Sequence, residues 1–122
     1  MKTRPQTSYF MHRLLLPSFN RIIIESIDNI YYCKADDSYS RLFLECGKYH
    51  LTTYSLKDLE KPLLPYYFIR CHRSYIVNIE YVKEMDKRKN LIILSNGAEI
   101  PVSQTYRKNL VQTLVQTAIH IN

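Results

Sequence analysis

The stretch from Phe68 to Asn78 constrains the fold most: Phe-Ile-Arg-Cys-His-Arg-Ser-Tyr-Ile-Val-Asn. Phe68 and Ile69 stand at one end and Tyr75, Ile76 and Val77 at the other, around a polar knot of Arg70, His72, Arg73 and Ser74. Aromatic and β-branched side chains suit a pleated, half-buried surface, so the pattern predicts two short strands joined by a tight basic turn. Such a turn can hold a guanidinium out from a rigid sheet, and binding concentrates on loops carried by a scaffold. An ordinary hairpin with a solvated tip fits the same pattern.

The preceding chain reads as a meander. Met1 to Met11 shows no periodicity and is read as an arm, with Lys2 and Arg4 on a frayed terminus by default and within reach of a polyanion as the second reading. His12 to Phe19 predicts a first strand broken by Pro17, so residues 1–20 are an arm and first strand, 21–118 the domain and 119–122 a tail. Strands are expected over Arg21–Ser26 and Ile30–Lys34. Ala35-Asp36-Asp37-Ser38 is a turn signal, because Asp and Ser side chains bond nearby backbone. From Tyr39 to Glu45 the chain alternates, with Tyr39, Arg41 and Phe43 on one face and Ser40, Leu42 and Leu44 on the other. Gly47-Lys48 turns it back into Tyr49–Thr53. The period then changes. Ser55 caps a helix with Asp58 as its capping-box partner, Leu56 and Leu59 share a face, and Pro62 is expected to end it.

Two more strands are expected after Asn78, over Val82–Met85 and Leu91–Leu94. Lys87, Arg88 and Lys89 between them form a charged tip that can contact phosphate, and a solvated turn is the default reading. Asn96-Gly97 is the strongest short hairpin signal, and Pro101 suits an edge or strand end. Ser103 can cap a C-terminal helix whose Leu110, Val111, Leu114, Val115 and Ala118 form one face. A helix start with free N–H groups beside Arg107 and Lys108 can grip a phosphate. A plain packing helix fits too.

The 122 residues suit one domain with its own core. Tyr is abundant (11) and Gly scarce (2), which favours a β-rich chain. Seventeen Lys and Arg against 11 Asp and Glu leave +6, a balance that suits an anionic partner or a solvated basic face. Cys33, Cys46 and Cys71 form no C-x-x-C pair, which predicts three reduced, mostly buried thiols in a cytosolic protein. No apolar run is long enough to insert in a membrane. His12, His50, His72 and His120 lack ligand spacing, and no nucleophile elbow, zinc motif or phosphate loop is present. No metal, cofactor or enzymatic activity is expected. Cys71 beside His72 is poorly placed as a catalytic pair, since neighbours on a strand face opposite ways. A redox-sensing Cys71 near Arg70 and Arg73 is a second reading, and an inert buried thiol the default.

Three polar points remain on this mostly β scaffold: Ser38, Tyr39, Ser40 and Arg41; His72, Arg73 and Ser74; and Gln104, Thr105, Arg107 and Lys108. Their donors match base edges and phosphates, Arg for guanine, Gln for adenine, Ser and Thr for either. Brought to one edge, they would read double-stranded DNA by loops. A Tyr-rich module for single-stranded nucleic acid, or a protein-interaction module, are the alternatives.

Ile27-Asp-Asn-Ile30, Tyr31-Tyr-Cys-Lys-Ala-Asp-Asp-Ser-Tyr39, Ser55-Leu-Lys-Asp-Leu59, Phe68 to Asn78, Asn96-Gly97 and Ile100-Pro-Val-Ser103 together resemble the LytTR DNA-binding domain, from about Arg21 to Leu114. The resemblance implies an elongated stack of antiparallel sheets with one short internal helix and a C-terminal helix. It also implies a bacterial transcription regulator whose loops enter successive major grooves at promoter repeats, generally as a pair of domains. The first loop would bring Tyr39 with Ser38 and Ser40, the second Arg73 with His72 bracing the turn, and the third Gln104, Thr105 and Arg107. The family pattern usually has Arg after Pro-Val-Ser, where this chain has Gln104. Many relatives carry an N-terminal receiver domain or a membrane segment, so the chain reads as a stand-alone regulator or an output domain, with an upstream receiver domain or sensor kinase as the partner this implies.

Overall fold

The computed structural model describes residues 12–121, so the expected arm with Lys2 and Arg4 lies outside the described residues. The elements in order are β1 (Arg13–Ser18), β2 (Arg21–Ser26), β3 (Ile30–Asp36), β4 (Tyr39–Leu44), β5 (Tyr49–Thr52), α1 (Leu56–Leu63), β6 (Phe68–His72), β7 (Tyr75–Asn78), β8 (Val82–Asp86), β9 (Leu91–Leu94), β10 (Glu99–Pro101) and α2 (Gln104–Thr117). They form three antiparallel sheets: β1-β2, β5-β4-β3-β7-β6 and β10-β9-β8.

The five-stranded sheet is the middle layer because its strands are apolar on both faces. Phe68 and Ile76 enter one core with Leu16, Ile30, Leu42 and the α1 residues Leu56, Leu59 and Leu63. Their neighbours Ile69 and Val77 enter the other with Ile92, Leu94, Ile100 and Leu110. Successive strand residues point to opposite faces, so one sheet serves two cores. Each fully buried Leu, Ile or Phe contributes about 1.5–3 kcal/mol. This is the expected stack with two helices.

Ser55 forms the predicted capping box: its hydroxyl accepts from Asp58 N–H at 3.2 Å, and the Asp58 carboxylate accepts from Ser55 N–H at 2.9 Å. Pro62 does not end α1. The helix runs through it to the fully buried Leu63. A fixed φ near −65° is helical, and Pro removes one backbone bond rather than the dihedral. The stop comes later, at Tyr67 in the left-handed region (φ 63). Nor does Pro17 break β1, where it sits opposite Ile22. A two-stranded sheet has only edge strands, which tolerate a missing N–H. Its carbonyl accepts from Thr53 N–H at 2.9 Å and ties β1 to the end of β5.

Asn96-Gly97 turns the chain within a three-residue loop. Leu94 N–H donates to Ala98 O, Gly97 N–H donates back to Leu94 O, and Gly97 alone of the pair has positive φ (88°). Glu45-Cys46-Gly47 repeats the arrangement with Gly47 at φ 88. Ser103 begins α2 by its backbone only; its hydroxyl is buried and accepts no capping bond. Along the expected apolar face of α2, Leu110 is buried and Leu114 packs beneath it, but Val115 is half exposed and Ala118 lies past the helix end. Cys33 and Cys71 are buried as expected; Cys46, on its loop, is exposed.

Candidate nucleic-acid interface

Antiparallel pairing decides which loops meet. Lys34 of β3 lies opposite Tyr75 of β7, so the Asp37-Ser38 turn and the Arg73-Ser74 turn share one end of the middle sheet. Ala35 N–H donates to Ser74 O at 2.9 Å, and Ser103 N–H donates to Cys71 O at 3.0 Å. The second bond sets the first residues of α2 beside the same turn. The three polar points are therefore adjacent.

Two more tips reach this end. Phe19, in the β1–β2 turn, lies edge-on to Tyr39 with 5.3 Å between ring centres. Asn90, closing the β8–β9 tip, accepts from Val102 N–H at 2.8 Å through its carbonyl and from Arg107 Nη1 through its side chain. Phe19 is a residue the sequence reading missed. It is 63% exposed and has φ 56, a left-handed conformation costing a bulky residue about 1–2 kcal/mol. No turn rule places Phe there, and an aromatic between strand runs reads first as core.

The β6–β7 turn is braced from three sides. His72 Nδ1 accepts from Ser74 N–H at 3.0 Å, as the bracing role requires. Arg70 donates through Nε to His72 O at 3.0 Å and through Nη2 to Arg73 O at 2.5 Å, while Nη1 meets Glu60 of α1 at 2.7 Å. A bulge between Arg70 and His72 fits this turn to its strands. With Arg70 holding the backbone, Arg73 stands exposed, and among the described residues nothing bonds its guanidinium.

The remaining candidates divide. Ser38, Gln104, Thr105 and Lys108 are exposed, and Tyr39 is 37% exposed at the tip. Ser40 is a correction: it is fully buried and its hydroxyl has no partner, because β4 alternation sends it inward opposite Thr52. Arg41 is held on the flank by Asp36, with Nε 2.9 Å from Oδ2, and lies over the Tyr49 ring. Arg107 is partly buried and bonded to Asn90. Both guanidiniums shape loops as well as adding charge.

Burial pushes the Cys71 thiol up to about 12, outweighing a backbone bond and the nearby Arg70 charge. Its Sγ is 3.8 Å from Tyr75 O and 3.7 Å from Pro101 O. Complete burial together with the raised thiol supports the packing reading of Cys71 over the redox one. A cavity of about 770 Å³ lies at the opposite end, between Tyr66, Tyr67 and the end of α2. Among the described residues, no three His, Cys, Asp or Glu are grouped to hold a metal, and no helix is long and apolar enough to cross a membrane.

Residues 20–115 match the LytTr DNA-binding domain. The sensory transduction protein LytT of Bacillus subtilis is 32% identical over 117 residues, 93% of this chain and 48% of that protein. The transcriptional regulatory protein LytR of Staphylococcus aureus is 43% identical over 61 residues, 48% of this chain and 25% of that one. Among solved structures, the LytTr DNA-binding domain of a Bacillus cereus protein described as a methyl-accepting/DNA response regulator superposes with TM-score 0.71 at 30% identity, covering 84% of this chain and 95% of that one. The chain spans about half the length of the LytT relatives it matches.

Proposed function

The chain belongs to the LytTR family of DNA-binding domains, whose members act in transcription regulation, and from that premise we propose that its clustered loops read a repeated promoter element in successive major grooves. One observation carries this reading. Two backbone bonds, Ala35 to Ser74 and Ser103 to Cys71, seat three polar segments side by side at the end of a rigid sheet. A site built on packed strands keeps its donors in register, which base reading demands.

Within this reading Tyr39, Arg73 and Gln104 face base edges. Arg73 suits the O6 and N7 of guanine, and Gln104 the N6 and N7 of adenine. Ser38, Thr105 and Lys108 fall on phosphates, with Thr105 at the free N–H groups that open α2. Two copies on tandem half-sites about one helical turn apart would double the contact. The LytT relatives are named sensory transduction proteins, and we assign this chain the same class of role, a signal-responsive regulator in the cytoplasm.

Selection of duplexes from random DNA tests it, followed by titration of the enriched site against its single strands. A short motif, enriched as a repeat near one turn of spacing and bound best as duplex, is the expected result. Stronger binding of single strands would make the Tyr-rich face a stacking platform instead. Salt-sensitive binding with no enriched motif would reduce the site to a basic surface.

A further inference from the structure

In sequence, Lys87, Arg88 and Lys89 fit a solvated tip by default and a phosphate contact as the second reading. The structure gives the tip a fixed backbone and free side chains. Asp86 Oδ1 accepts from both Arg88 N–H at 3.0 Å and Lys89 N–H at 2.9 Å, so the neighbouring acid caps the turn. Asn90 closes it in the left-handed region (φ 53) and is anchored to Val102 N–H and to Arg107. The three cations are exposed, and none has a side-chain partner among the described residues. A merely solvated tip needs no tie to the start of α2. This one is held beside Gln104 and Thr105, while three adjacent like charges await a counter-charge.

We propose that Lys87, Arg88 and Lys89 form a phosphate clamp on the duplex backbone, flanking the base-reading loops and supplying affinity without sequence information. This rests on the duplex-binding reading above and extends its footprint to the third sheet. Each cation that neutralises a phosphate releases a counterion, so each contributes about 0.9 to the slope of log affinity against log salt. Arg107 acts here as a positioning residue, because its bond to Asn90 sets the tip against α2.

The test compares the wild-type chain with K87S/R88S/K89S and with R88S alone, on the enriched duplex and on a random duplex across a salt series. A thermal melt confirms that these exposed changes leave the fold intact. The expected result is a slope shallower by about 2–3 for the triple variant and about 0.9 for R88S, with the same fold loss of affinity on both duplexes. Unchanged slopes with intact motif preference would overturn the clamp and leave the family reading standing. A loss confined to the enriched duplex would also overturn it, since the tip would then be reading bases. Shallower slopes in a protein with no motif preference would uphold the clamp and overturn loop-based reading. Absence of duplex binding by the wild type at low salt would overturn both.

Discussion

Arg70 holds Arg73: the Arg70 Nη2 donates to the Arg73 carbonyl oxygen at 2.5 Å, while its Nη1 is anchored on Glu60. One guanidinium is spent so that another, three residues on, can stand free. Arg70→Ala leaves two turn carbonyls and the Glu60 carboxylate short of a donor. The expected loss is about 1–3 kcal/mol of stability, read by urea unfolding, together with weaker duplex binding. Arg70→Lys should not restore binding, because an ammonium cannot span three divergent acceptors as the planar fork does. Full rescue by lysine would show that charge alone is needed there.

Arg73→Ala should behave in the opposite way. Its side chain is exposed and bonds nothing among the described residues, so stability should change by less than about 0.5 kcal/mol. Affinity for the preferred duplex should fall by about 1–3 kcal/mol, with relaxed choice at one base pair. An equal loss on random duplex would mark Arg73 as a phosphate contact.

The contrast between these two arginines shows what the sequence could and could not say. Strand alternation from Tyr39 to Leu44, the Ser55 capping box and the Phe68–Asn78 hairpin are local patterns, and each was readable because local spacing decides it. Which arginine of the knot faces solvent depends on α1 arriving with Glu60, a tertiary fact with no local signature. Pro62 stays helical because Leu63 has a core to fill, whereas Ser40 faces inward by the same local alternation that buries Leu42 and needed no tertiary information. Phe19 joined the site through contact with Tyr39 across two sheets. Convergence of the three loops rests on the non-consecutive pairing of β3 with β7, which no short pattern encodes.

The thiols make a separate prediction. Cys33 and Cys71 are fully buried and burial holds each up to about 12, whereas Cys46 sits exposed on its loop. An aromatic disulfide reagent at neutral pH should therefore label one thiol of the folded chain, and three after denaturation. Peptide mapping should place the fast label on Cys46. Fast native labelling of Cys71 would reopen a redox role for the β6–β7 turn.

Glu25 links β2 to β5 through His50, whose Nε2 is 2.8 Å from the carboxylate. Burial pushes the Glu25 carboxyl up, but bonds from Asn29, His50 and the Ser26 N–H more than offset it, and the net shift is downward. A carboxyl lowered by folding contributes stability above its unfolded value and loses it as pH falls through the folded one. Glu25→Gln should thus cost about 1–2 kcal/mol at neutral pH, and the gap to wild type should close under acid. Denaturant midpoints for both proteins between neutral and strongly acidic pH read this directly; a gap constant across that range would leave the carboxylate no part in it.

Gln104 is exposed as the first residue of α2, next to Thr105, and stands where the family resemblance implies Arg, so its side chain should set one base of the preferred DNA. A glutamine offers one donor and one acceptor, the pair that adenine presents in the major groove; a guanidinium offers two donors, which guanine accepts. Gln104→Arg should therefore shift the preferred base at one position from adenine to guanine, by about 1–3 kcal/mol of discrimination. Selection from random duplexes with both proteins would show the exchange as a single altered column in the motif. The added charge has a cost to weigh against this, because a cation at a helix start opposes the dipole by about 0.3–1 kcal/mol. A slightly lower melting temperature with a changed motif would place Gln104 on a base edge. An unchanged motif with a salt slope steeper by about 0.9 would place it on a phosphate.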